Sequence, residues 1–489
     1  MNLSLNNSSS GVSLPEPSAM PTAAIEALLL FAAVITAALL FVAHWITPNQ
    51  AVVLTTLLLL LLLGLSWRNF NQGRHPCFFF MGMLLLLQGG RLLTYCLGSE
   101  PDPLRVRVQT GLPFDLSRHD QGTALLCVAL SGLCIYAICR LNYRPIAVLN
   151  TTSAMQYLPY LYLLFYMSVP VQIFKNYSYY QFAQGHGGYM YFWVSHGEFA
   201  ATVPLWVRLI SLITLPSFVG IFILETRRRY LYLATTCYFV SSLLILLMGS
   251  RIGTLALIVA LWYAAGIKSG KKTRTLAVVV LACVLFAIAG LFQALREDSD
   301  VTAYAVDPLK FVTLSGNSLD VTLVVIKYKE IFSAYAGSYM WNELTAGFSP
   351  HDLEHYFRGR ELGHDVSVLL NPGAFEQGVG TAGSYIAEAY MIGGVAGVVV
   401  ISFLIGLALH LLYRFSRTPL SLFMVLMVLP EFINMPRGDL LDWLSVLART
   451  LLLLTVLTLG WKVYSVLLWL QQAPRPSQPW TAERLPGTR

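Results

Sequence analysis

The sequence predicts an all-α polytopic integral membrane protein, and three observations carry that prediction. Apolar stretches of about 20 residues, long enough for a helix to cross a bilayer, recur along the chain. Charged residues are only 12% of the 489, against about 25% in ordinary soluble domains. The basic residues collect in alternate short connections, the pattern the positive-inside rule gives a multi-pass protein. With 56% hydrophobic residues and a mean hydropathy of +0.63, no soluble class fits.

Twelve spans are predicted, at roughly 23–46, 51–67, 77–97, 122–140, 155–174, 203–224, 230–249, 252–268, 275–294, 383–412, 419–435 and 443–470. The stretches 51–67 and 419–435 are short, and 252–268 follows its predecessor almost without a turn. Arg68 and Arg74, Arg140 and Arg144, Arg227 to Arg229, Lys268 to Arg274, and Arg414 with Arg417 fall in alternate connections that hold few acids. Those connections are expected to face the cytoplasm, and both termini with them. Residues 1–22 are rich in Asn, Ser and Pro without a basic leader region, so they read as a disordered cytoplasmic tail. Residues 471–489, with four prolines, read the same way. The expected organisation is nine helices over 23–294, a large external loop over 295–382, and three helices over 383–470.

That loop holds twelve of the chain's 25 acidic residues. Within it, apolar residues over 308–332 recur at three- and four-residue spacing, which predicts an amphipathic helix lying on the membrane surface. The net charge of +7 follows from the placement of the basic residues and calls for no nucleic-acid partner. All seven cysteines lie in or beside apolar spans, without CxxC or Cys/His ligand spacing, and read as packing residues. Neither an internal repeat nor the broken-helix pair that marks many transporters is evident.

Arg251, Arg296, Arg437 and Arg449 stand at or just beyond the ends of apolar stretches, all on the same expected side. A charge at the centre of a membrane helix costs about 2.5–3.5 kcal/mol on insertion scales, so such residues read as functional. Converging guanidiniums suit a phosphate or pyrophosphate, whose oxygens match their planar fork. Arg91, near the outer end of the third span, is a further candidate. The 175–204 connection interleaves Tyr189, Trp193 and other aromatics with Gln and His. Such a mixture suits the apolar faces and hydroxyl rims of sugars, and equally an interfacial aromatic belt.

The segment Gly378-Val-Gly-Thr-Ala-Gly-Ser-Tyr-Ile-Ala-Glu-Ala-Tyr390 is a glycine-rich entry into a helix. It permits close backbone approach to an anion or simply tight helix packing. Tyr385 within it is a candidate substrate contact. Glu388, a turn inside an apolar helix, either pairs with an arginine or handles a proton. His351-Asp-Leu-Glu-His355 matches the H-x-x-E-H zinc pattern, but the pattern is short and no third ligand is placed, so no metal or other cofactor is expected. His364-Asp365 is expected to be solvated.

Ser250-Arg-Ile-Gly253 opening a helix, the long external loop, the Gly378–Tyr390 segment and Pro436-Arg-Gly-Asp439 before the last span together resemble the O-antigen and oligosaccharide repeat-unit polymerases, the Wzy-type enzymes. The resemblance spans roughly 157–470 by order of elements. It implies a GT-C-like glycosyltransferase architecture in the bacterial inner membrane, with the large loop periplasmic. It implies joining of undecaprenyl-pyrophosphate-linked oligosaccharides with release of undecaprenyl pyrophosphate, in the bilayer and alongside a chain-length regulator protein. Arg251, Arg296 and Arg437, with Arg449 behind them, would hold the pyrophosphate, and Glu388 or Asp439 would serve as base. Two other readings stay open: an O-antigen ligase-like transferase, and a transporter or flippase for lipid-linked sugars.

Overall fold

The computed structural model describes residues 19–70, 73–106, 115–141, 143–185, 203–247, 251–270, 308–346, 361–376 and 381–472. In chain order the helices are α1 (Ala19–Val42), α2 (Pro48–Asn69), α3 (Pro76–Leu87), α4 (Gly90–Cys96), α5 (Arg118–Leu141) and α6 (Leu158–Gly185). Then come α7 (Leu205–Leu224), α8 (Arg228–Leu247), α9 (Arg251–Ser269), α10 (Pro308–Ser315), α11 (Ser318–Lys327) and α12 (Lys329–Ser333). The last six are α13 (Ala336–Ala346), α14 (Leu362–Leu370), α15 (Pro372–Glu376), α16 (Tyr385–Phe415), α17 (Pro419–Asn434) and α18 (Asp442–Gln472). Each predicted stretch falls on helix except 275–294, which lies outside the described residues. Among the described residues, nine helical stretches are long and apolar enough to cross a membrane, Leu309–Lys327 (α10 with α11) among them, or ten if the bent pair α3/α4 is one span.

Local chemistry sets the helix starts. Thr47 caps α2 in a reciprocal box with Gln50, and Thr418 caps α17 with Ser421; each cap is followed by proline at the first helical position. Both short stretches are thus helices with explicit start signals.

Helix α5 is the hub. Some 83% of its span is buried, against 11% for α1, and it packs on α16, α2 and α1. Small residues allow the approach: a Cβ on Gly406 of α16 would lie 3.0 Å from the Ile135 Cα. Close backbone contact of this kind is how helices associate where lipid offers no hydrophobic gain.

Two spans are broken, which the sequence reading did not anticipate. Between α3 and α4 the axis bends by 67° at Gln88–Gly89. Helix α16 is interrupted at Gly393 (φ −144°, ψ 18°) and Gly394 (φ 61°, ψ −148°), the latter in the left-handed region that glycine tolerates. A Cβ on Gly397 would lie 2.2 Å from the Ala389 carbonyl oxygen. Eight residues of straight helix would set those positions about 12 Å apart. The chain therefore folds back: residues 385–392 form a short helix, and 395–415 the long one. Consistent with this, Tyr385 hydrogen-bonds Ser131 while Gly406 meets Cys139, only eight positions further along α5.

The 308–332 stretch also differs from expectation. It is not one surface helix but three short ones, α10 to α12, and α11 is buried from Ser318 to Ile326 on every face. Its spacing fits a helix packed on several sides as well as one lying on lipid. The bend in the third span makes the socket. A Cβ on Gly90 would lie 2.5 Å from the Val312 carbonyl oxygen, and one on Gly316 would lie 2.5 Å from the Arg91 nitrogen. These glycines let α10 and α11 dock backbone to backbone.

Arg91 locks that joint. Fully buried, it pairs with Asp320 of α11 and donates to the carbonyls of Asp102 (3.2 Å) and Arg105 (2.6 Å). Removing one member of a buried pair strands the other charge and costs about 3–5 kcal/mol. Asp320→Ala should therefore lower the unfolding temperature of the purified protein sharply, whereas Arg91→Met with Asp320→Leu should recover most of the loss. Equal melting of the single and double variants would contradict the pairing.

Candidate active site

Three carboxylates from three separate parts of the chain meet beneath the loop helices. They are Glu343 of α13, Glu388 of the folded-back 385–392 helix, and Asp439 in the link before α18. One oxygen of each lies within 4.8 Å of the others. Glu343 and Glu388 are 3% and 1% exposed, while Asp439 is half-buried. Successive backbone amides hold the first two: Leu440 N–H donates to Glu388 at 2.8 Å, and Leu441 N–H donates to Glu343 at 3.0 Å. Glu388 Oε1 and Asp439 Oδ1 are buried and accept no hydrogen bond.

The glycine-rich entry has a specific job here. A Cβ on Gly383 would fall 1.8 Å from Asp439 Oδ1, so only glycine leaves room for that carboxylate. Helix α14 braces the entry, with Ser367 accepting from Thr381 N–H at 2.6 Å and Thr381 donating to the Gly363 carbonyl at 2.9 Å. Gln88, at the bend of the third span, donates to Ser384 Oγ (2.9 Å) and to the Pro436 carbonyl (2.6 Å). Thr322 of α11 completes the knot, donating to Gln88 at 3.4 Å and lying 3.2 Å from Ser384 Oγ.

Burial governs the charge state. It pushes the Glu343 carboxyl up to about 9, with the nearby Asp439 charge adding to the rise. Burial also raises Asp439, to about 6. Three carboxylates this close cannot all ionise, so they hold a proton among them or an added cation. Both remain chemically open to this donor set: the proton-sharing arrangement suits acid–base work, and three oxygens suit a hard divalent ion.

The arginines separate into groups. Arg437 is half-buried in the turn Met435–Arg437, two residues before Asp439. Arg449 is exposed and donates to Ser445, at 3.3 Å to its carbonyl and 3.2 Å to its hydroxyl. Arg251 opens α9, and its side chain lies outside the described residues. Arg296, Tyr189, Trp193 and the His351–His355 segment lie outside them as well.

Arg91 and Tyr385 turn inward, contrary to their reading as substrate contacts. Arg91 is the buried partner of Asp320, and Tyr385 is fully buried with its hydroxyl against Ser131 and its ring edge-on to Phe80. His364 lies 3.3 Å from Glu361, and Asp365 accepts from the Tyr339 hydroxyl at 2.5 Å, so that expected solvated pair is engaged by the protein.

Among the described residues Glu388 pairs with no arginine; it accepts from Leu440 N–H, and its Oε1 is buried without a partner. Glu343 was not legible: α13 is a mixed-polarity helix in which nothing sets that glutamate apart. The opposite end of the bundle holds His75, Cys77 and Cys139 together. There His75 Nδ1 accepts from Cys77 N–H at 3.1 Å as the α3 cap, and Cys139 donates to the Gly406 carbonyl at 3.3 Å. Capping and packing explain that group.

The fold and site thus define a multi-pass membrane protein with a buried cluster of three carboxylates roofed by loop helices. The family model for the O-antigen polysaccharide polymerase Wzy matches residues 28–467, nearly the whole chain, and the protein belongs to that family. Polymerisation of O-antigen repeat units by a membrane glycosyltransferase is its activity at that level. No curated protein and no solved structure matches the chain.

Gly383→Ala should remove polymer while leaving the protein inserted, because its methyl would occupy the Asp439 carboxylate position. Gly393→Ala is the control, since a Cβ there meets nothing within 4 Å. Surface-polymer profiles of the two variants at matched expression are the readout, and wild-type chains from Gly383→Ala would remove Asp439 from the site.

Proposed function

We propose that the protein joins undecaprenyl-pyrophosphate-linked oligosaccharides at the periplasmic face of the bacterial inner membrane, with both termini cytoplasmic. The observation that carries this reading is the convergence of Glu343, Glu388 and Asp439 beside the turn that bears Arg437. Asp439, the half-buried member with the lowest proton affinity resolved, takes the proton of an acceptor hydroxyl. The acceptor oxygen attacks the anomeric carbon of the donor glycan, and the bond from that carbon to the pyrophosphate oxygen breaks. One displacement of this kind inverts the configuration.

Negative charge grows on the departing undecaprenyl pyrophosphate, and Arg251, Arg296 and Arg437 stabilise it, with Arg449 farther out. On this reading the arginines do the work of a metal, and none is required. Tyr189 and Trp193 of the 175–204 connection stack on the sugars, and a chain-length regulator protein engages the finished assembly.

A donor to a developing oxyanion is worth about 2.7–4 kcal/mol, or roughly 100- to 1,000-fold in rate. Arg251→Ala and Arg437→Ala should each reduce in vitro extension of a defined lipid-pyrophosphate oligosaccharide by about that factor. Lysine at either position should restore only part, because it lacks the planar fork. Extension should persist in chelator. Full activity from both Arg→Gln variants would refute the pyrophosphate assignment, and chelator loss reversed by a divalent ion would convert the carboxylates into metal ligands.

The same assay has an expected pH profile. A base must be deprotonated, so extension should rise as pH passes about 6, where Asp439 loses its proton. Glu343 keeps its proton in the folded protein up to about 9, well above an unfolded-chain glutamate. The folded state binds the extra proton, so its stability should fall as pH climbs from the unfolded glutamate range through about 9. Melting temperature should decline on that limb, and Glu343→Gln should flatten the decline. A limb unchanged by Glu343→Gln would assign it to another group.

A further inference from the structure

A cavity of about 470 Å³ lies away from the carboxylates, between α1, α2, α5 and Val395 of α16. Its walls are apolar, Ala37, Leu58, Leu125 and Ala129 among them, and its rim carries Arg118, His119 and His44. Helix α1 leans on α5 and touches α2 only lightly, which leaves the wedge open.

Four observations give the wedge an occupant. The first is charge. Arg118 forms no ion pair among the described residues; it donates to the carbonyls of Ile46 and Phe41, lies 4.8 Å over the Phe41 ring, and leaves its Nε buried without a partner. The neighbouring Asp120 is engaged by Ser117, whose hydroxyl donates to it at 2.7 Å. The second is backbone strain: His44 at the lip has φ 63°, the one positive value for a non-glycine residue among those described. Such conformations persist where the surrounding structure enforces them, often at binding sites.

The third is continuity with the carboxylates. Val395 directly follows the fold-back at Gly394, and Glu388 lies just before it. Lys329 sits at that turn, its Nζ 3.3 Å from where a Gly394 Cβ would be and 5.4 Å from the centre of the Tyr390 ring. The fourth is sidedness. Lys327 donates to the Asp115 carbonyl, so the Arg118 end of α5 is the end covered by the loop helices.

We propose that this wedge seats the polyprenyl chain of the acceptor's lipid carrier, with that carrier's pyrophosphate, which is not the leaving group, drawn to Arg118, His119 and Lys329. The assignment rests on the polymerase reading above and adds where a lipid carrier is held. A hydrocarbon tail gains nothing by leaving one apolar medium for another. Selection must therefore come from the cations at the rim and from the shape of the wedge, and a cavity of this size is within the range of ligand sites.

The test uses the full chain in nanodiscs with a diazirine-bearing polyprenyl pyrophosphate that carries no sugar. Crosslinks should map to α1 and α5 around Ala37 and Leu125. Excess unlabelled polyprenyl pyrophosphate should suppress them at least tenfold, and equal phosphatidylglycerol should not. Ala37→Phe, which fills the wedge, and Arg118→Ala should each cut labelling about tenfold. Because Arg118 also ties down the 41–46 turn, Ala37→Phe and Lys329→Gln keep the test valid if Arg118→Ala misfolds. Equal competition by phosphatidylglycerol would make the wedge an ordinary lipid-filled crevice and overturn the proposal. So would labelling unchanged by Ala37→Phe. Lost labelling with normal extension would sink the lipid seat and leave the polymerase reading standing. Intact labelling with no extension would sink the polymerase reading instead.

Discussion

The hydrogen bonds of one buried side chain hold the site together. Gln88 stands where the third span breaks, and its amide joins the start of α16, the turn before Asp439 and helix α11. A helix that ends inside the bundle leaves backbone groups without intrahelical partners, and lipid supplies none. Irregular backbone survives at that depth only where protein or a polar cavity satisfies it. Each unsatisfied buried group would cost about 1–3 kcal/mol, so the knot around Gln88 is a condition for the breaks to exist. The breaks are in turn what allow polar side chains to gather inside an apolar bundle.

The glycines work with that knot rather than beside it. Gly90 and Gly316 let two segments meet at backbone distance, Gly394 turns α16 back on itself, and Gly383 leaves space for a carboxylate. Each removes a Cβ at a point where two segments converge on the site. The fold-back matters most chemically. It carries Glu388 into the bundle on a short helix and brings it against Leu440, so that the link before α18 grips it through a backbone amide.

Charge placement follows the same economy. Arg91 and Asp320 neutralise each other inside the joint, while the three carboxylates form no ion pair among the described residues and only the charge of His364 favours ionised Asp439. A protein that buries acids without neutralising them shifts their proton affinity upward, and perturbed groups of this kind mark functional centres. The ion pair belongs to the scaffold, and the unneutralised acids form the candidate site.

The sequence by itself determined the helical membrane class and most of the long helices, and it singled out three residues of the candidate site region: Arg437, Glu388 and Asp439. These were legible because each is a local anomaly, a charge within or beside an apolar run. Glu343 was not legible, since a glutamate in a mixed-polarity loop helix becomes notable only when Leu441 and Asp439 come to it. Arg91 and Tyr385 misled for the converse reason: their partners, Asp320 and Ser131, lie 229 and 254 residues away. Helix α11 misled too, because three- and four-residue spacing does not say how many faces will be covered. Tertiary structure alone decided where helices break and which charges meet, since both depend on contacts between distant segments that no local pattern encodes.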